Sequence, residues 1–212
     1  MDILYPRIPR HRLWPMARIA LLGAVIAGAY GAVHDQISYS ISPEYFTKLK
    51  FVQFSWADVG LPDRGFASEV GFLASWWVGL FAGWFLARVG LVDLREMALQ
   101  YAVVKSFAIV TGVAIVVGTA GALLGVEITR DGRPSAWSGS ARFLGVHDIR
   151  AFEIVACLHF ASYVGAALGL AGAMVYVRRS LSVVRQQVTA TTAFDTASPR
   201  PTPSSPRRGG RQ

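Results

Sequence analysis

Two stretches of this chain set an imidazole beside a carboxylate next to a long apolar run. His34-Asp35 closes the first run, and His147-Asp148, with Glu153 little more than a turn further on, leads into the fourth. His159 lies deeper, inside the fourth run, and Ser162 and Tyr163 follow it at helical spacing on nearly the same face. Gln36 and Glu44 come after the first pair on its loop side. An ionisable group at membrane depth faces a bundle interior or a wet cavity, because lipid exposure is costly. His159 is therefore expected to look inward, where Ser162 and Tyr163 would reach His34, Asp35 or Gln36.

Three chemistries fit this constellation. The plainest is a hydrogen-bonded polar plug that fixes helix register. A second is a divalent metal site: His34, Asp35 and His159, with Glu44 or Glu153 as further carboxylates, offer ligands suited to zinc, although no compact motif such as His-x3-His is present. The third is a proton or small-ligand pathway, since histidine titrates near neutral pH. No catalytic residue is assigned. Haem held between spans would want paired histidines at matching depth, whereas only His159 is inside a run. The single Cys157 excludes an intrachain disulfide or a thiolate cage. No Gly-Lys-Ser/Thr follows the glycines, which excludes a phosphate loop. The Val-His-Asp at Val33 recurs at Val146, but the flanking residues differ and duplication is not inferred.

The elements that must position these groups are the apolar runs at residues 19–33, 70–87, 106–126 and 154–177. A spanning helix needs about 20 apolar residues, which the last two runs supply alone and the first two reach with their flanks. The expected spans are 16–36, 67–88, 102–126 and 152–177. At 53% apolar and 16% charged residues, the chain has too little polar surface for a soluble globule. The expected class is all-α: an integral membrane four-helix bundle with an amphipathic interfacial helix in the first outer loop.

Lysine and arginine set the threading. Arg7, Arg10, Arg12 and Arg18, then Arg88, Arg95 and Lys105, then Arg178, Arg179 and Arg185 fall on one side; the other side spreads Lys48, Lys50, Arg64, Arg130, Arg133, Arg142 and Arg150 over longer loops. Both termini are expected to be cytoplasmic, with residues 1–18 a basic leader. The leader and first run also fit the outline of a signal peptide, but small residues continue through the whole stretch instead of marking one cut. The net charge of +8 owes much to residues 186–212, expected to form a disordered basic tail. Its arginines would be drawn to anionic lipid, so nucleic acid is not the expected partner.

Small residues at i, i+4 spacing give every span a face for close packing: Ala24, Ala27, Gly28 and Gly31; Gly71, Ser75, Gly79, Gly83 and Ala87; Ala114, Gly118, Gly121 and Gly125; Ala161, Gly165, Gly169 and Ala173. They suit an intramolecular bundle or a homo-oligomer. The short connection at residues 90–98 predicts that the second and third spans are antiparallel neighbours. In the first outer loop, Ser42-Pro43-Glu44 reads as a helix start. Residues 42–56 would form an interfacial helix with Tyr45, Leu49, Val52 and Trp56 on one face, or else a lid over the bundle mouth. The second outer loop, residues 127–150, turns at Arg130-Asp131-Gly132-Arg133-Pro134, and Trp137 and Phe143 are its interface anchors.

The stretch from His34-Asp35-Gln36 through Ser42-Pro43-Glu44-Tyr45-Phe46-Thr47-Lys48, continued by Lys50-Phe51 and Gln53-Phe54, resembles a segment of small, uncharacterised multi-pass bacterial membrane proteins. A looser likeness covers His159, Ser162, Tyr163 and Gly165. The resemblance covers about a quarter of the chain and implies a bacterial inner-membrane location but no activity. The leading functional expectation is a non-enzymatic membrane or assembly component with a polar outer-side site. The alternatives are a metal-dependent enzyme embedded at the outer leaflet and a small transporter or channel subunit.

Overall fold

In the computed structural model, residues 8–94 and 96–197 are described. Four long helices dominate: α1 (Arg10–Ile41), α2 (Asp63–Arg88), α3 (Glu96–Ile128) and α4 (Ile149–Ala197). All four are long and apolar enough to cross a membrane, and the molecule is an all-α four-helix bundle. Arg7, Arg95 and the arginines beyond residue 197 lie outside the described residues.

The helices outrun the apolar sequence at both ends, because a helix satisfies its own backbone and continues until something stops it. At Ile41 the stop is Ser42, in extended backbone, followed by Pro43. In α4 no proline or glycine intervenes between Val177 and Ala197. The expected tail therefore begins too early at residue 186: residues 186–197 are helical, and only 198–212 fall outside the described part. At the other end α1 starts at Arg10, within the basic leader.

Pairing follows the small residues. On α2, a methyl built on Gly79 would run into the carbonyl of Gly23, and one on Gly71 into that of Gly31. Across α3 and α4, a methyl on Gly165 would lie 2.8 Å from Ala114 Cα, and one on Gly169 2.8 Å from Val110 Cα. The molecule is thus two glycine-packed hairpins, α1/α2 and α3/α4, which meet far more loosely with each other. This corrects the expected pairing of the second and third spans. Their connection through Leu91–Asp93 is short, yet among the described residues α2 and α3 scarcely touch, because each spends its small-residue face on its own hairpin partner.

The two ends are closed differently. At the end holding Arg10 and Leu181, Met16, Leu86, Leu91, Phe107, Val177 and Leu181 form an apolar core drawn from all four helices, and Arg12 pairs with Asp93 at 2.8 Å. At the loop end, Tyr45 and Phe46 pack with Ala67, Ala141, Val146 and Phe152.

Candidate functional site

Residues 43–57 are one helical segment in four pieces, which begins where Ser42 Oγ accepts the Tyr45 N–H at 3.3 Å. A π turn at Phe46–Lys50 then inserts extra backbone and rotates the following residues. Tyr45 and Phe46 consequently point into the bundle, Phe46 fully buried, while Val52 and Trp56 are 68% and 74% exposed. The single face expected from the sequence is thereby split, and the purely interfacial helix is corrected to a lid over the bundle mouth. Only the lid's outward face, with Val52 and Trp56, remains free to meet other surfaces.

Beneath the lid lies a cluster of buried Asp35, Ser38, His159 and Ser162 with partly buried His34. On α1, His34 Nδ1 is 3.1 Å from Asp35 Oδ1. His159, on α4, is 6% exposed; its Nε2 is 3.1 Å from Ser38 Oγ and 3.7 Å from Asp35 Oδ1. Ser162 Oγ lies 3.4 Å from His34 Nε2. The two imidazoles meet edge to face with centroids 4.7 Å apart, and Tyr45 and Phe46 cover His159 at 4.9 and 6.2 Å. One nitrogen or oxygen from each of His34, Asp35 and His159 falls within 4.8 Å of the others, so these residues could hold a metal ion. A cavity of about 70 Å³ opens below them, lined by Tyr30, Ser75, Phe107, Thr111 and Tyr163 among others. That is room for several waters, at ~10–15 Å³ each on the same measure.

The remaining sequence candidates sit elsewhere. Gln36 joins the first hairpin's own helices, donating from Nε2 to the Arg64 carbonyl and, at 2.8 Å, to Ser68 Oγ. Glu153 is buried and accepts a short hydrogen bond from Ser138 Oγ in the second loop. Glu44 latches the two loops together: its carboxylate accepts the His147 and Asp148 N–H groups at 3.1 and 2.8 Å, and its Oε1 is 3.0 Å from His147 Nδ1. These bonds hold the Glu44 carboxyl at about 2, well below the usual carboxylate range.

Two contributors to the site were not singled out from the sequence. Ser38 is one turn beyond His34 on the buried face of α1, and i, i+4 spacing from a membrane histidine was the available signal. Lys50 reads as a headgroup lysine, yet the π turn brings its ammonium over the Tyr45 ring at 5.9 Å and near Asp35. Burial pulls the Lys50 amine below its ordinary value, Asp35 opposing, and pushes the Tyr45 phenol up. Separately, Glu69, on α2 just ahead of its apolar run, has a buried Oε2 with no hydrogen-bond partner among the described residues. Comparison with protein-family models, with curated proteins and with solved structures returns no match for this chain.

Proposed function

We propose that this chain is a multi-pass protein of a bacterial inner membrane, with both termini cytoplasmic. In this reading it serves as a non-enzymatic membrane component whose polar centre fastens its two hairpins together at the outer side. One observation carries the reading: apart from the apolar core at the opposite end, the hairpins meet loosely, and the polar contacts from one to the other among the described residues gather at the loop end, through Ser38 and Asp35 to His159, His34 to Ser162, and Glu44 to His147 and Asp148. The distribution of Lys and Arg and the likeness of the 34–54 segment to bacterial membrane proteins support the setting. The exposed Val52 and Trp56 on the lid suit the headgroup layer or a partner in the same membrane. Arg178 and Arg179 would rest near anionic lipid.

The test is abundance, oligomeric state and thermal unfolding in detergent for a His34→Ala/His159→Ala double variant. Loss of assembly or a clear drop in unfolding temperature supports the reading, and an unchanged protein refutes it. A reporter inserted at Gly139 tests the threading separately: cytoplasmic behaviour there would overturn it.

A further inference from the structure

We propose that His34, Asp35 and His159 bind one divalent transition-metal ion of the zinc class beneath the Tyr45–Phe46 lid. This deepens the fastening reading and rests on it in one respect, that α1 and α4 are joined as described. Bonds of about 2.0–2.2 Å in a tetrahedral zinc site keep neighbouring ligand atoms roughly 3.3–3.6 Å apart. The observed separations from Asp35 Oδ1, 3.1 Å to His34 Nδ1 and 3.7 Å to His159 Nε2, bracket that spacing. The imidazole nitrogens of His34 and His159 lie within 4.8 Å of each other, so closing the set around one ion takes side-chain movement of up to about an ångström, and no rearrangement of helices.

The donor set selects the ion. Two imidazoles and one carboxylate suit zinc, cobalt(II) or nickel(II), while calcium and magnesium want mostly oxygen ligands. Copper(I) prefers sulfur, and Cys157 instead packs near Gly121 and Gly125 of α3. Ser162, at 3.4 Å from His34 Nε2, supports the ring from its far side, as metal-bound histidines commonly require. All three ligand residues line the cavity, so water can complete the coordination. Lys50 opposes loading: its ammonium shares Asp35 with any incoming cation, and its flexible stem must carry the charge outward when the ion arrives.

The test uses the full chain in detergent, stripped by chelator and titrated with Co²⁺. The expected result is one ion per chain, a visible ligand-field spectrum of tetrahedral type, and displacement by Zn²⁺. Asp35→Asn keeps the side-chain shape and should weaken Co²⁺ binding by more than about 100-fold, beyond the loss that follows removal of a merely orienting group. Ser162→Ala should weaken it about 10-fold, Lys50→Met should tighten it severalfold, and His11→Ala should leave it unchanged. Unfolding of the metal-free variants is followed in parallel. The proposal is overturned if the wild-type chain binds no more Co²⁺ than the His34→Ala/His159→Ala double variant, or if Asp35→Asn binds like wild type; a loss of unfolding temperature in the metal-free double variant would then leave the fastening standing without the ion. Binding that is lost in variants whose metal-free unfolding is unchanged supports the ion and refutes the fastening.

Discussion

The faces inside each hairpin and the seam between the hairpins are held by different physics. Within α1/α2, the backbone of Gly79 lies against that of Gly23 and Gly71 against Gly31, so that helix meets helix with no side chain between. Along the seam, closure depends on an apolar core at one end and on hydrogen bonds under an aromatic lid at the other. Close packing in lipid tolerates no added volume, whereas an interhelical hydrogen bond there is worth only about 0.6 kcal/mol on average. The hairpins are therefore the rigid units, and the seam is where this molecule can exchange one set of partners for another.

The largest expected effect breaks a rigid face. Gly79→Leu would drive a side chain into the Gly23 carbonyl and should cost about 3 kcal/mol or more, read as lost monodispersity and a lowered unfolding temperature. Gly112→Leu is the control, since a Cβ there meets nothing within 4 Å, and it should be silent. A similar or slightly smaller loss, about 3 kcal/mol, is expected for Phe46→Ala, which empties a fully buried site above His159; hydrogen exchange should rise in the lid before it rises in α1. Ser38→Ala probes the seam alone and should cost only about 1 kcal/mol. If Ser38→Ala proved as damaging as Gly79→Leu, the distinction between faces and seam would collapse.

The smallest effect is set by pH. Because Glu44 is held at about 2 in the folded protein, against an ordinary value of 4.5, its contribution is complete above about pH 4.5 and is lost as the pH falls toward 2. Cross-linking between the lid and residues 147–148 should persist at pH 5 and fade near pH 2. Glu44→Ala should remove the pH dependence over that interval.

Long apolar runs and their glycine spacing made the four helices legible, and the rule that charge in lipid must face inward placed His159 correctly against α1. That same rule could not say which stripe meets which. Every span carries a small-residue face, and the pairing of α1 with α2 and of α3 with α4 depends on complementary shape between distant segments. The lid was misread for a local reason. Helical periodicity assigns Val52 and Trp56 to the face of Tyr45, but the π turn at Phe46–Lys50 changes the count partway along. Lys50 entered the site by that rotation, with no signal in its neighbours. Ser38 was missed because a serine in a helix usually satisfies itself on its own backbone, as Ser38 also does with the His34 carbonyl at 3.1 Å.

The continuation of α4 to Ala197 has a mechanical consequence. From Val177, where the apolar run ends, the helix axis advances about 30 Å to Ala197 at ~1.5 Å per residue. The field of a charged bilayer fades over about 8 Å at physiological salt. With the bilayer ending near Val177, as proposed, Arg178 and Arg179 at the base of this mast would lie within that field and its tip would stand beyond it, set at a fixed distance by a rod and not by a flexible tether.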